Sequence, residues 1–162
     1  MVEEKLKYTD IIVEKKPPIG YITINRPEKR NALGLETGGA CEQLAQAFLE
    51  MKEDPEMRAF IIKGAGDCFT AGFDLGGYDQ GIYKPREKGI WKGHELEPLA
   101  EISAVGPLAS NPEAAYPTAP LLWGDGLWDN PKPSIALVHS FCLGAGLWLI
   151  NQCDIVYAAP TS

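Results

Sequence analysis

Histidine, paired cysteine and clustered positive charge are all scarce in this chain, and each shortage removes a class of function. Only His94 and His139 occur in 162 residues, and Cys41, Cys68, Cys142 and Cys153 form no C-x-x-C pair. A zinc site needs four such ligands at close spacing, so no metal is expected. Unpaired cysteines in apolar or turn contexts fit a reduced compartment, and a cytoplasmic location is expected. The net charge is −7 with no lysine/arginine cluster, which argues against nucleic-acid partners while leaving room for a local patch that holds a small anion. Long uniform apolar runs are absent too. The longest, "SIALVHSFCLGAGLWLI" at 134–150, is broken by His139, two serines and two glycines, so it reads as buried core and no membrane partner is expected. The opening "MVEEKLKYTD" is too polar for a signal peptide.

What remains, at 45% hydrophobic and 23% charged, is the composition of one globular domain, long enough to bury roughly two-thirds of its unfolded surface. "DIIVEKKPPIGYITINRP" reads as two β-rich runs, 10–14 and 19–25, joined by a Lys-Lys-Pro-Pro turn; "GYITIN" alternates at period two and Pro27 stops it. In "LETGGACEQLAQAFLEMKED", Cys41, Leu44, Phe48 and Met51 recur at three or four residues, as in a helix packing one face on a sheet, with Gly38 and Gly39 in its first turns. "RAFIIKG" at 58–64 is a short apolar strand of the kind covered on both faces. "SIALVHS" at 134–140 and "CDIVYAA" at 153–159 are two more, with the glycine-rich start of a short buried helix, "LGAGLWLINQ", between them. The order β-β-α-β, then β-α-β, predicts an α/β fold. Between them, a stretch at about 76–132 is rich in proline and glycine and carries Trp91, Trp123 and Trp128. It reads as a long irregular loop with one short helix at "GHELEPLAEI", and loops of that length usually serve as lids or binding segments.

Two glycine-bearing bends follow apolar strands: Ala71-Gly72-Phe73-Asp74 after "FIIKGAGDCFT", and Leu143-Gly144-Ala145-Gly146 after "SIALVHSFC". The second leads into a helix, whose first amides lack intrahelical partners and stabilise a nearby anion. Two backbone N–H groups facing one oxygen make an oxyanion hole. Alternatively, each bend is simply a turn.

"YITINRPEKRNAL", "FTAGFDL" and "KPSIALVHSFCLGAGLWLINQCDIVYAA" resemble, in order, three signature blocks of the crotonase (enoyl-CoA hydratase/isomerase) superfamily. The resemblance spans most of 19–75 and 132–159. It implies a crotonase-like spiral of ββα units, the whole chain being one partial domain truncated before the C-terminal helices. It also implies an acyl-CoA substrate of the kind met in fatty acid metabolism, coenzyme A entering as part of that substrate with no separate cofactor. The oxyanion-hole donors would be the main-chain amides of Phe73 and Ala145; the family commonly has glycine at the latter position. Lys29, Arg30, Ala32 and Leu33 would lie near the CoA nucleotide and pantetheine, with Arg30 the phosphate contact. Ala71, Asp74, Leu75 and Gly144 would line the same tunnel. The full-length parent would be a homo-oligomer, a trimer or hexamer.

Family hydratases place one glutamate after the second glycine block and another shortly after the "CDI" strand, as general acid and base. Here the first position is Trp148 and the second would fall just beyond Ser162. The resemblance therefore implies hydratase/isomerase-type chemistry in the parent, tilted toward isomerase because some family isomerases lack the first glutamate. The chain by itself is expected to be inactive, and an inactive acyl-CoA binding or interaction module is the alternative. Asp74 is expected to cap the turn that follows it. His139 is expected to be a hydrogen-bonded core residue, Trp148 core or acyl-pocket wall, and His94 with Glu95 and Glu97 solvated loop charges.

Overall fold

A computed structural model describes residues 8–34, 38–77, 124–160 and 162. The expected order holds: β1 (Ile11–Lys16), β2 (Ile19–Ile24), α1 (Ala40–Glu53), β3 (Ala59–Gly64), β4 (Ser134–Val138), α2 (Ala145–Ile150) and β5 (Ile155–Ala158). The strands form one sheet in sequential order. The β1–β2 hairpin is antiparallel, with Ile11 opposite Ile24, and β2 through β5 run parallel. Parallel neighbours need crossovers. Helix α1 supplies the one between β2 and β3, and α2 the one between β4 and β5.

The sheet buries one face against α1. Ile22, Ile24, Phe60 and Ile62 from the strands meet Leu44, Phe48 and Met51 of the helix, all fully buried, with the Phe48 and Phe60 rings 6.1 Å apart. The period read from the sequence thus identifies the helix face correctly. The helix begins later than its pattern suggests, because Gly39 is the residue before its first turn and Gly38 sits at φ +77° outside it. Gln43 holds that entry: its Nε2 donates to the Gly38 carbonyl (2.7 Å), and its Oε1 accepts the Asp10 amide (2.9 Å). At the other end Lys132 Nζ donates to the Met51 and Asp54 carbonyls, each 2.5 Å, so a cation closes the negative end of the helix.

The second sheet face differs from expectation. In β3, Phe60 and Ile62 are buried while Ile61 is only half-buried; in β4, Ser134, Ala136 and Val138 point inward while Leu137 is exposed, and all of β5 is exposed. The apolar runs of β3 and β4 therefore alternate like one-sided strands despite their composition, and β5 is exposed on both faces. A helical turn at Gly124–Trp128 lies inside the stretch read as loop; Leu127 is buried and Trp128 is 69% exposed. Trp91, Trp123, His94, Glu95, Glu97 and the expected helix at "GHELEPLAEI" lie outside the described residues.

Candidate functional site

After β3 the chain leaves the sheet and forms a second, smaller ladder. Residues 69–74 run between the loop 26–33 and the segment 139–145. On one side the Ala71 amide donates to the Arg30 carbonyl (3.0 Å), the Leu33 amide to Gly72 (2.7 Å) and the Asp74 amide to Leu33 (2.9 Å). On the other, the Phe69 amide donates to His139 (3.1 Å), Thr70 to Phe141 (3.3 Å) and Leu143 to Thr70 (3.1 Å). Three stretches remote in sequence are thereby laid side by side.

The orientation of the Phe73 amide follows from this ladder. A trans peptide group is planar, with its C=O and N–H opposed. The Gly72 carbonyl is committed to Leu33, so the Phe73 N–H is directed to the opposite side, where Leu143–Ala145 lies. Gly72 stands at φ +88°, a conformation that side chains other than glycine's disfavour. A methyl group there would meet the Leu143 carbonyl oxygen at 2.7 Å and the Ala145 nitrogen at 3.2 Å. The two bends are thus in backbone contact. At the second bend, the Gly146 amide donates to Leu143 (2.8 Å) and the Leu147 amide to Gly144 (3.0 Å), which leaves the Ala145 N–H at the open start of α2. Neither the Phe73 nor the Ala145 amide has a hydrogen-bond acceptor among the described residues. Two donors without an acceptor among the described residues thus stand on touching bends.

A buried polar hub holds the layer in place. Arg26, 7% exposed, donates from Nη1 to the Ala32 carbonyl (2.6 Å) and pairs with Asp74 through Nη2 (3.1 Å) and with Asp10 through Nε (3.3 Å). Asn31, fully buried, accepts the Arg26 amide on Oδ1 (2.9 Å) and donates from Nδ2 to the Ala65 (2.7 Å) and Cys68 (2.8 Å) carbonyls. Arg30 and Asn31 both adopt left-handed backbone, at φ 53° and 54°. Asparagine tolerates this region better than most residues, and the Asn31 side-chain bonds offset the remaining strain.

The expected site residues distribute as follows. Lys29 is exposed and reaches Asp74 Oδ2 (3.4 Å); Asp74 also accepts the Gly76 amide (3.0 Å), so it does cap the following turn. Burial pushes the Asp74 carboxyl up, but the Gly76 amide, Lys29 and Arg26 outweigh it and hold it below the usual carboxylate range. Arg30 is exposed beside a cleft lined by Pro27, Gly66, Asp67, Cys68 and Phe141. Ala32 and Leu33 are buried, Ala71 and Phe73 half-buried, Leu75 and Gly144 exposed. His139 departs from expectation: it lies just past β4, is half-buried, and its Nε2 meets the Gly66 carbonyl at 3.0 Å, a bonded residue at the rim of the core. Trp148 is 45% exposed, so it is not core. All four cysteines are free, no group of His, Cys, Asp and Glu among the described residues could hold a metal, and no described helix is long and apolar enough to cross a membrane.

Arg26, Asn31 and Thr70 escaped the sequence reading. A signal was present: "INRP" and "KRNAL" put polar residues directly against apolar ones at a strand exit, where buried side chains must find backbone partners.

Comparison with known proteins gives this geometry a context. A family profile described as enoyl-CoA hydratase/isomerase matches residues 14–106. The chain is 31% identical over 137 residues to the mitochondrial Delta(3,5)-Delta(2,4)-dienoyl-CoA isomerase of Rattus norvegicus, covering 85% of this chain and 36% of that protein. It is 29% identical over 151 residues to the mitochondrial enoyl-CoA hydratase of Pongo abelii, covering 91% and 41%. Among solved structures, an enoyl-CoA hydratase/isomerase from Xanthobacter autotrophicus Py2 superposes with a TM-score of 0.63 at 27% identity, over 93% of this chain and 46% of that one. The chain thus spans less than half the length of these relatives.

Proposed function

Since the chain belongs to the enoyl-CoA hydratase/isomerase family of the crotonase superfamily, we propose that it binds acyl-CoA thioesters and receives the thioester oxygen between the amides of Phe73 and Ala145. The observation that carries this reading is the pair of N–H groups, without an acceptor among the described residues, on bends in backbone contact. Removal of a proton next to the thioester carbonyl leaves an electron pair that delocalises onto its oxygen, and two aimed amides stabilise the charge as it develops. Both donors are main chain, so alanine at 145 in place of the family's usual glycine keeps the donor.

Lys29 and Arg30 are the proposed contacts to the CoA phosphates, supported by their exposure on the loop that carries the ladder. Ala32, Leu33, Ala71, Asp74, Leu75 and Gly144 complete the proposed tunnel. In the parent protein the activity is hydratase or isomerase type, and the names of the relatives include both. Trp148 favours the second reading, an acyl-CoA binding module with no proton-transfer group at that position, because indole cannot serve as the general acid or base. Self-association, as a homo-oligomer in the parent, is supported by the exposed apolar side chains Leu143, Leu147, Ile155, Val156 and Tyr157. Four free thiols support a reduced compartment, the cytoplasm or a matrix.

Calorimetric titration with crotonyl-CoA and with free CoA tests the reading. Tighter binding of the thioester is the expected result; equal affinity for the two would refute a working hole.

A further inference from the structure

Building on that reading of the site, we propose that Thr70 is the positioning residue of the oxyanion hole, orienting the Phe73 amide through its side-chain hydroxyl and fixing the Ala145 bend through its backbone. Thr70 is fully buried and belongs to neither bend, yet it touches both. Its Oγ1 donates to the Asn31 carbonyl (2.6 Å) and accepts the Gly72 amide (3.1 Å). Its own carbonyl accepts the Leu143 amide (3.1 Å), and its Cγ2 faces the α-carbon of Gly146, where a Cβ could not be fitted.

The consequence follows link by link. At φ +88° Gly72 has a wide choice of orientations. The Thr70 hydroxyl removes that choice by holding the Gly72 N–H (3.1 Å), while the Leu33 amide holds the Gly72 carbonyl (2.7 Å). With both ends of the glycine fixed, the Phe73 N–H has one direction left. The Asn31 carbonyl fixes the hydroxyl in turn by taking its proton, so the oxygen lone pairs are free for Gly72. Serine could make the same two bonds. Valine has the shape of threonine and can make neither.

The test compares the unsubstituted chain with Thr70→Ser and Thr70→Val. Each is titrated with crotonyl-CoA and CoA, and the thioester carbonyl stretch of bound crotonyl-CoA is read by isotope-edited infrared difference spectroscopy. Thermal unfolding reports the stability of each variant. Thr70→Ser should keep the preference for thioester over CoA and the downshifted carbonyl band. Thr70→Val should lose about tenfold in that preference, the order of one lost hydrogen bond, and its band should move back toward that of the free thioester, with CoA affinity unchanged. A folded Thr70→Val with the full preference and the full band shift overturns the proposal, as does a folded Thr70→Ser that loses them. Absence of any thioester preference in the unsubstituted chain would remove the oxyanion-hole reading itself, a result distinct from failure in the variants alone. Amide hydrogen exchange on the unsubstituted chain stands even if the valine variant does not fold. The Gly72 amide should be protected and the Phe73 amide open until crotonyl-CoA is added; a fast-exchanging Gly72 amide overturns the proposal.

Discussion

Replacing Gly72 with alanine should damage both stability and thioester recognition, and a matched control separates the two causes. At φ +88°, the strain of a side chain is about 1–3 kcal/mol. The added methyl would also stand 2.7 Å from the Leu143 carbonyl oxygen and 3.2 Å from the Ala145 nitrogen, both backbone atoms that cannot swing aside. Overpacking of that kind costs a further ~1–3 kcal/mol. The sum, about 2–6 kcal/mol, corresponds to a fall in melting temperature of roughly 4–24 °C at the ~2–4 °C per kcal/mol usual for this chain length. Gly38 is the control: its φ is +77°, but a Cβ there meets nothing within 4 Å. Gly38→Ala carries the strain without the clash, so it should lower the melting temperature by about half as much, roughly 2–12 °C on the same scale. It should leave binding untouched. Displacing the Ala145 bend, by contrast, should reduce the preference of Gly72→Ala for crotonyl-CoA over CoA by about two- to tenfold, the value of one neutral hydrogen bond of ~0.5–1.5 kcal/mol. Calorimetry and thermal unfolding on the three proteins decide the matter. Equal melting temperatures for the two variants, or an undiminished thioester preference in Gly72→Ala, would refute the close approach of the bends.

The hub and the sheet edge give two more expectations. Arg26→Met leaves Asp10 and Asp74 facing each other without the guanidinium between them, and urea denaturation should show a loss of about 3 kcal/mol, the low end for breaking a buried pair because both carboxylates keep some solvent; a loss below about 1 kcal/mol would show the hub to be dispensable. Asp154 accepts both the amide (2.8 Å) and the hydroxyl (2.7 Å) of Ser134, and these bonds hold its carboxyl below the usual range, as Gly76, Lys29 and Arg26 do for Asp74. A depressed folded value means that the charged form is favoured by folding, so this stability is complete above the unfolded carboxyl value of about 3.9 and drains away as pH falls through the folded one. Asp154→Asn should therefore flatten the acid limb of melting temperature below about pH 4, and an unchanged slope would show that Asp154 does not drive it.

The elements of this fold were legible because their signals are local. Strand alternation in "GYITIN", the three-and-four spacing of Cys41, Leu44, Phe48 and Met51, and the apolar runs of 58–64 and 134–140 each reflect what a segment buries against its neighbours. The errors came where a local pattern underdetermines its surroundings. Apolar composition in β3 suggested two covered faces, yet the face bearing Ile61 and Leu137 is partly open. His139 shares the hydropathy context of a strand, but Val138 is the last residue paired with β5. At the candidate site, both bends could be located from their glycines, whereas the side chains that aim them could not. Asn31 bonds across 34 and 37 residues, Arg26 across 48 and Thr70 across 39, and no sequence window contains such partners.

A hole built from backbone donors, as proposed, would limit how chemistry can change on this scaffold. A hole made from the amides of residues 73 and 145 depends on where the chain runs, and that is set by Thr70, Asn31, Arg26 and the bend at Gly72, not by the side chains at 73, 145 or 148. Those side chains could vary while the donors stay in place. Proton-transfer groups are side chains and carry no such protection; a tryptophan at 148, where the family resemblance implies a glutamate, would remove one without moving an amide. Under the proposed reading, binding and polarising the thioester would therefore be the robust part of the function and the direction of proton transfer the changeable part. Relatives named as isomerases and as hydratases are what such a division would allow. It also predicts that introducing a carboxylate by Trp148→Glu should alter what happens to the bound thioester without altering its preference over CoA. A Trp148→Glu chain that lost the thioester preference while still folded would show instead that the hole and the proton-transfer positions are not separable.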